Sequence, residues 1–224
     1  MTAGLSRIDV VSDAICPWCW IGKRHLERAL ARLAEEGERF EVRWRPSQLN
    51  PDMPRGGIER AAYRAAKFGS LDRSRELDAQ VAAAGAAAGL EFRFDRQNRT
   101  PNTVDAHRVI RRAGEAGGTA LQDAVVEALF RAYFQDGRDI GDAAALAEVA
   151  SGAGIEGAAA FLASGEGEEE VLGEDAGFRR LGISGVPSFA LSGHVLFSGA
   201  VPAERMAEAF QRALAILRER RLDQ

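Results

Sequence analysis

Apolar and polar positions near the start of the chain follow first a strand period and then a helical one. Residues 7–12 are β-branched and partly alternating, which is typical of a strand. From Trp18 to Gly37, apolar residues recur at spacings of three, four and seven, so we expect an amphipathic helix that ends at the glycine. Residues 40–44 alternate apolar and charged side chains before Pro46, as a second strand does. The pattern predicts a β-α-β unit.

The middle of the chain, residues 56–180, has helical periodicity. Apolar stripes at helical spacing cover residues 106–113 and 121–133. The adjacent glycines Gly117 and Gly118 separate these two stripes, as turn residues do. These segments predict a block of helices connected by turns that contain glycine.

Strand patterns return near the end of the chain. Residues 187–191 and 194–198 flank Ser192 and Gly193, a two-residue connection suited to a hairpin turn with positive φ. A final amphipathic helix is expected from Pro202. The order β-α-β, helical block, β-β-α therefore predicts an α/β fold interrupted by a helical insertion.

This change of pattern divides the chain into two predicted domains. Residues 1–55 and 181–224 together form a discontinuous α/β domain, and residues 56–180 form a helical insertion domain. With 224 residues, 46% hydrophobic and 28% charged, the chain is long enough for both and has the composition of an ordinary globular protein.

Charge and hydropathy narrow the classes of partner. A net charge of −4 argues against nucleic acid, because phosphate binding requires a basic face. The longest apolar run, residues 82–90, is far shorter than the roughly 20 residues that cross a bilayer, so no membrane partner is expected. The start of the chain carries Asp9 and Asp13 and lacks a basic leader, so we expect a first strand there and a cytoplasmic protein.

The two cysteines of the chain, Cys16 and Cys19, lie in the segment Cys-Pro-Trp-Cys at the predicted strand-to-helix corner. A zinc site needs four ligands, whereas the chain has no other cysteine and its three histidines are isolated, so no metal is expected. A structural disulfide across so short a loop removes little entropy from the unfolded chain and is rare in the cytosol. A redox-active pair is therefore the favoured interpretation over a zinc site and a structural bridge.

The predicted position of the cysteines supports redox chemistry. At the first residue of a helix, unpaired backbone N–H groups and the positive end of the helix dipole favour the thiolate of Cys16, which is expected to be the exposed nucleophile. Pro17 suits the first helical turn, and Cys19 returns within reach of Cys16 one turn later. His25 falls on the opposite face of the helix, about 13 Å along, so it is not expected to share a proton with Cys16.

A late Gly-Val-Pro segment, residues 185–187, precedes the predicted hairpin, and with the cysteine corner it makes the chain resemble the DsbA-type branch of the thioredoxin superfamily. The chain is most similar to the cytosolic FrnE-like subgroup. The segments that carry the resemblance are Cys16-Pro17-Trp18-Cys19-Trp20-Ile21-Gly22, Arg45-Pro46, Gln48-Leu49-Asn50-Pro51, Asn102-Thr103, Ala106-His107-Arg108 and Leu181-Gly182-Ile183-Ser184-Gly185-Val186-Pro187.

This resemblance implies a thioredoxin fold with a helical insertion and a thiol-disulfide oxidoreductase activity. Cys16 is expected to form a mixed disulfide with substrate, and Cys19 is expected to resolve it. The resemblance also implies that the bond between Val186 and Pro187 is cis and that these two residues position the substrate.

Four neighbouring residues are expected to modify the site. Trp18 and Trp20 are expected to shape an apolar lip for the substrate. Pro17 and Asp13 are expected to tune the thiols, although a cap at the end of the first strand is an equal alternative for Asp13. Trp18 stands where many periplasmic relatives carry histidine, so one cationic stabiliser of the thiolate is missing.

Two other functions fit the same scaffold. Glutathione-dependent isomerases and transferases of the kappa and hydroxychromene-carboxylate type resemble it, but in them a serine usually replaces Cys16 and no second cysteine is needed. A non-catalytic peptide-binding module is the third alternative. No resident cofactor is expected, because the dithiol carries the electrons; the expected partners are protein or small-molecule thiols and disulfides, with glutathione compatible as a co-substrate. The direction of reaction and the formation of a homodimer are left open.

Overall fold

The computed structural model describes residues 6–222, with side chains through residue 220. In chain order the elements are β1 (Ser6–Ser12), α1 (Pro17–Glu35), β2 (Phe40–Pro46), β3 (Ile58–Glu59), α2 (Arg60–Phe68), α3 (Leu71–Ala87), a 3-10 turn (Phe94–Arg96), β4 (Arg99–Thr100), α4 (Val104–Phe134), α5 (Ala143–Gly152), α6 (Ala158–Ala163), α7 (Glu168–Arg180), β5 (Ser188–Leu191), β6 (His194–Ser198) and α8 (Ala203–Leu222). Among these helices, none is long and apolar enough to cross a bilayer.

A four-stranded sheet in the order β2-β1-β5-β6 forms the scaffold. Strand β1 pairs in parallel with β2 and antiparallel with β5, so that Val10 lies between Trp44 and Phe189. Ser192 (φ 49°) and Gly193 (φ 86°) close the hairpin between β5 and β6, both in the left-handed region that this short turn requires. The predicted β-α-β unit, hairpin and final helix are confirmed, and together they make an interrupted thioredoxin fold.

The helical block lies between β2 and β5 along the chain. The two apolar stripes predicted within it belong to a single element, α4, which is broken at Gly117 and Gly118. Gly118 has φ 69° and ψ −163°, a conformation open almost only to glycine. The short pairing of β3 with β4 was not predicted, because two-residue strands leave no period to detect. The domain boundaries at 55/56 and 180/181 stay a prediction.

The buried core runs continuously from the sheet into the helical block. Trp20 of α1 stacks on Phe130 and Phe134 of α4, with ring centroids 6.1 and 5.9 Å apart, and meets Phe92 edge-on at 5.3 Å. Trp20 is fully buried. The prediction that Trp20 shapes a lip for the substrate is therefore wrong: its ring joins α1 to α4, and its indole Nε1 donates a 3.2 Å hydrogen bond to Glu127.

Candidate active site

The cysteine corner connects the end of β1 to the start of α1. Cys16 is the N-cap of α1, with extended backbone (φ −92°, ψ 111°), and Pro17 is the first helical residue. The amide of Cys19 donates to the carbonyl of Cys16 over 3.0 Å, which closes the first turn and places the two thiols on one side of it. No acidic residue lies in the first turn of α1, so the positive end of the helix dipole faces Cys16 without a competing charge from that turn.

Both cysteines are free thiols and both are buried. The prediction that Cys16 is exposed is wrong, because only 4% of its surface is accessible. The Cys16 thiol lies under the loop before β5 and donates to the carbonyl of Val186 over 3.7 Å. Cys19 is completely buried. A substrate must therefore reach Cys16 through the cavity that the residue lines.

The loop opposite Cys16 has the geometry that the resemblance implied. The peptide bond between Val186 and Pro187 is cis. The carbonyl of Pro187 accepts a 2.7 Å hydrogen bond from the amide of Gly199, which ties the loop to the end of β6. The ring of Pro187 packs on Gly22 of α1 so closely that a Cβ atom at residue 22 would lie 2.9 Å from the proline Cγ. Gly22 thus sets how near the loop comes to the helix that carries the dithiol.

Burial keeps the thiol of Cys19 protonated. It raises the pKa of the Cys19 thiol well above its ordinary value of 9.0, and the hydrogen bond and charge of the adjacent Cys16 add to the rise. The charge of Asp13 acts in the same direction, whereas a backbone hydrogen bond from Asp13 acts against it. Cys19 is therefore held as a neutral thiol behind Cys16.

Asp13 lies beneath the corner and is fully buried. Its carboxylate accepts a 2.6 Å hydrogen bond from the amide of Leu49 and a 3.4 Å hydrogen bond from the amide of Ile15, so it caps the end of β1. The Nε2 atom of His107 lies 3.5 Å from the Asp13 Oδ1 atom, which is too long for a good hydrogen bond, and this buried nitrogen has no partner among the described residues. Sequence reasoning assigned His107 no role, although the segment that contains it was part of the resemblance.

A cavity of about 300 Å³ opens beside Cys16, and we call it the dithiol pocket. Val186 and the Cys16 corner line one side, and residues of α2 and α3 line the other. Trp18 is 42% exposed and lines it too, and its contact with a substrate stays a prediction. In residues 6–220, no three His, Cys, Asp or Glu side chains are grouped so that they could hold a metal ion.

Basic side chains of α2 also line the dithiol pocket, and the sequence analysis missed them. Arg60, Arg64 and Lys67 follow one another at spacings of four and three, which places them on one face of a helix. That spacing was the available signal, but the distance along the chain from Cys16 concealed its relation to the dithiol. Asn50, from one of the segments of the resemblance, completes this side of the pocket.

Comparison with known proteins places this geometry in a family. Residues 7–211 match the DSBA-like thioredoxin domain. The crystal structure of a probable DsbA oxidoreductase from Streptomyces coelicolor is 32% identical, with 94% of this chain and 90% of that chain covered and a TM-score of 0.82. The uncharacterized protein YwbO of Bacillus subtilis is 25% identical, with 93% of this chain and 95% of YwbO covered.

A third protein shares the fold at lower identity. The cytosolic disulfide reductase DsbM from Pseudomonas aeruginosa, solved with glutathione, is 22% identical with a TM-score of 0.60, and 96% of this chain and 99% of that chain are covered. The family match extends from β1 into α8 and so includes both the cysteine corner and the Val186 loop. The chain belongs to the DSBA-like thioredoxin domain family.

Proposed function

We propose that this protein is a thiol-disulfide oxidoreductase that works through the dithiol of Cys16 and Cys19. The observation that carries the proposal is the position of the Cys16 sulfur at the N-terminus of α1, 3.7 Å from the Val186 carbonyl and open to the dithiol pocket. Cys19 lies one helical turn after Cys16, within reach of the Cys16 sulfur and shielded from solvent.

The reaction has two exchange steps. The thiolate of Cys16 attacks one sulfur of a substrate disulfide, a mixed disulfide forms at Cys16, and the other substrate sulfur leaves as a thiolate. Cys19 then loses its proton and attacks the Cys16 sulfur, which releases the second substrate sulfur and leaves a disulfide between Cys16 and Cys19. The protein loses two electrons and the substrate gains them. Substrate thiols run the same steps in reverse and reduce the protein.

Burial determines which of the two cysteines reacts first. Because Cys19 is fully buried and its pKa is raised, it is a poor first nucleophile in the reduced protein. Once Cys16 carries the substrate, its own thiol no longer contributes a charge or a hydrogen bond that holds the proton on Cys19. Formation of the mixed disulfide thereby prepares Cys19 for the second step.

The loop and the exposed tryptophan supply the substrate contacts in this proposal. In the free protein the Val186 carbonyl accepts a hydrogen bond from the Cys16 thiol. When Cys16 forms the mixed disulfide, this carbonyl becomes available to a donor group of the substrate. Pro187 holds that carbonyl at its place against α1, and Trp18 offers an apolar surface beside it. Asp13 acts on Cys19 through its charge and through a backbone hydrogen bond, and Pro17 acts as the first helical residue behind Cys16.

The proposal extends to the setting in which the enzyme works. We place it in the cytoplasm and in the FrnE-like subgroup, in keeping with the fold that it shares with the cytosolic reductase DsbM. Glutathione, which is present in the structure of DsbM, is a suitable co-substrate for this chain. The cytosolic glutathione pool favours the reduced dithiol, so reduction or isomerisation of substrate disulfides is the expected direction.

Trapping of the mixed disulfide tests the proposal. The variants Cys16→Ser and Cys19→Ser are each incubated with glutathione disulfide, and intact mass is measured after acid quenching. Cys19→Ser should accumulate one glutathione adduct at Cys16, because the resolving thiol is gone, whereas Cys16→Ser should accumulate almost none. Equal adducts on both variants, or none on Cys19→Ser, would show that the assigned roles are wrong.

A further inference from the structure

The second exchange step needs an exit for a proton. Because Cys19 is a neutral thiol, it must lose its proton before its sulfur can attack Cys16. Cys19 is completely buried, and a substrate joined to Cys16 occupies the dithiol pocket. The proton therefore needs a path through the protein interior, over groups that can accept and release it.

Asp13 is the first group on such a path. Its side chain is fully buried, and both its charge and its backbone hydrogen bond act on Cys19. The hydrogen bonds that the Asp13 carboxylate accepts come from the backbone amides of Leu49 and Ile15, which hold their own protons. A proton that reaches Asp13 must therefore continue to another side chain.

Tyr133 and His107 are two titratable side chains that Asp13 faces in α4. Burial raises the pKa of the Tyr133 hydroxyl well above its ordinary value of 10.0, and the charge of Asp13 adds to the rise although Arg60 opposes it. A phenol that keeps its proton so firmly cannot relay one near neutral pH. An imidazole gains and loses a proton in that range, so His107 is the suitable acceptor.

The geometry of His107 fits this role. Its Nε2 atom lies 3.5 Å from Asp13 Oδ1, and the exposed fractions of the two side chains are 1% and 0%. This nitrogen is buried without a hydrogen-bond partner among the described residues, so it is free to accept a proton in the tautomer that is protonated on Nδ1. Hydrogen bonds that carry a proton during a reaction are often long in the free enzyme and tighten in the complex.

His107 also lines a second cavity, which we call the α4 cavity. Its volume is about 260 Å³, and residues of β2, α4 and α7 form its walls. Of the described residues, none lines both this cavity and the dithiol pocket. Glu115 and Gly118 are exposed members of the lining, so solvent reaches the α4 cavity independently of the substrate. The other charged lining residues are Glu41, Arg43, Arg45, Arg111 and Glu174.

Glu174 is the group in the α4 cavity that is suited to accept a proton from His107. Burial raises the pKa of its carboxyl group, although Arg45, Arg111 and His107 oppose the rise. A carboxylate with a raised pKa is a better proton acceptor than an ordinary one. The α4 cavity thus offers both solvent and a basic carboxylate to His107.

We propose that His107 receives the proton of Cys19 by way of Asp13 and releases it into the α4 cavity. This inference rests on the proposed function and adds a residue to its second step. The proton passes from Cys19 Sγ to the Asp13 carboxylate, and from there to His107 Nε2. The Cys19 sulfur then attacks the Cys16 sulfur, the bond from Cys16 to the substrate breaks, and the substrate leaves as a thiolate with both electrons of that bond. His107 returns to its neutral form, and it acts through Asp13 without touching the substrate or the reacting sulfurs.

Rapid quenching of one oxidation cycle tests the inference, because it measures the two exchange steps separately. The reduced full-length protein is mixed with excess bis(2-hydroxyethyl) disulfide, a neutral oxidant, quenched by acid at increasing times and weighed intact. The mercaptoethanol adduct at Cys16 reports the first step, and the internal disulfide reports the second. The variants are His107→Gln, which cannot take up the proton, and His107→Ala, which leaves space for a small base. The matched control is His194→Gln, at the exposed start of β6.

The expected loss is confined to the second step. His107→Gln should form the adduct at a rate within about twofold of the wild-type rate. It should convert the adduct to the internal disulfide about 10- to 100-fold more slowly, as the loss of a proton acceptor does, so that the adduct accumulates. Imidazole in the buffer should accelerate the second step of His107→Ala as its concentration rises, because it can occupy the vacated space beside Asp13. It should leave wild type and His194→Gln unchanged.

Other outcomes separate the two proposals. If His107→Gln slows both steps equally, or neither, the inference is overturned while the oxidoreductase function stands. A slow second step that imidazole does not restore would show that His107 only supports the fold, and it overturns the inference too. If His107→Gln does not fold, Asp13→Asn, which keeps an acceptor for the amide of Leu49, carries the same prediction. If wild type forms neither the adduct nor the internal disulfide, the proposed function fails and the inference fails with it.

Discussion

At the scale of single residues, the site depends on how differently the protein surrounds two thiols that are three positions apart. Cys16 lines the dithiol pocket, and Cys19 is enclosed by the core. In the proposed function, the same chemical group serves as a nucleophile in one position and as a protected thiol in the other. Neither difference follows from the residue type, because it is burial and the neighbouring backbone that set it.

The burial of Cys19 predicts a loss of stability at alkaline pH. Its pKa is raised in the folded protein, so stability is fully present below the ordinary value of 9.0 and falls as pH rises above it, where only the unfolded thiol has ionised. The free energy of unfolding in urea, measured from pH 7 to 10.5, should fall more steeply for wild type than for Cys19→Ala. The difference in slope should approach about 1.4 kcal/mol per pH unit. If the free energies of unfolding of wild type and Cys19→Ala fall in parallel with pH, the pKa of Cys19 is not raised in the folded protein.

Gly22 predicts a second effect at this scale. An alanine there brings a Cβ atom to 2.9 Å from Pro187, so Gly22→Ala should cost about 1–3 kcal/mol by overpacking, against a gain of about 1 kcal/mol in helix propensity. Gly173 of α7 has open space around its Cα, so Gly173→Ala should gain about 0.5–1 kcal/mol. Urea unfolding of both variants checks the pair. Similar gains for both would mean that α1 and the Pro187 loop are not in tight contact.

At the scale of elements, the two faces of α1 make different contacts. One face carries Cys16, at the N-cap, and Trp18 toward the pocket. The other is fixed to α4 by the aromatic stack of Trp20 and by an ion pair from buried Lys23 to Asp123 at 2.9 Å. The helix that presents Cys16 is therefore held on its opposite side by the helical block.

Matched substitutions of the two tryptophans test this division. Trp20→Phe should lower the free energy of unfolding by roughly 1–3 kcal/mol, because it loses ring volume and the hydrogen bond to Glu127. The rate at which a neutral disulfide oxidises the folded variant should stay within about twofold of the wild-type rate. Trp18→Phe, at an exposed position, should change stability by less than about 0.5 kcal/mol. A larger loss for Trp18→Phe than for Trp20→Phe would reverse the assignment of the two faces.

The same two residues show what the sequence predicts and where prediction ends. Periodicity located α1, β2, the hairpin and both stripes of α4, because each is a local pattern of five residues or more. It did not distinguish Trp18 from Trp20, because the partners that bury Trp20 are Phe92, Phe130 and Phe134, far along the chain. His107 and Lys67 were missed for the same physical reason: the positions of His107 beside Asp13 and of Lys67 in the dithiol pocket arise from tertiary contacts.

At the scale of the whole molecule, one core joins the sheet and the helical block. Trp44 of β2 meets Phe130 of α4 edge-on at 6.5 Å, and the amide of Trp44 donates to Gln122 of α4 over 2.9 Å. The dithiol pocket itself is built from both parts, since Cys16 and Val186 come from one and Lys67 from the other. The geometry of the pocket thus depends on the packing of the sheet against the helical block.

The shared core predicts cooperative unfolding. Thermal unfolding of the reduced protein should show one transition in calorimetry, with van't Hoff and calorimetric enthalpies that agree, because neither part has a complete core of its own. The same midpoint should appear in far-UV circular dichroism and in tryptophan fluorescence. Two resolved transitions would show that residues 56–180 fold as an independent domain.

A redox titration tests the central claim, that Cys16 and Cys19 form a working dithiol, most directly. The protein is equilibrated in buffers of varied glutathione to glutathione disulfide ratio, quenched by acid, alkylated and weighed as the intact chain. We predict a single two-electron transition between a form with two alkylated cysteines and a form that is two hydrogens lighter than the reduced chain and takes up no alkylating reagent. A protein that keeps two alkylatable thiols throughout, or that ends as a glutathione adduct without an internal disulfide, would contradict the account.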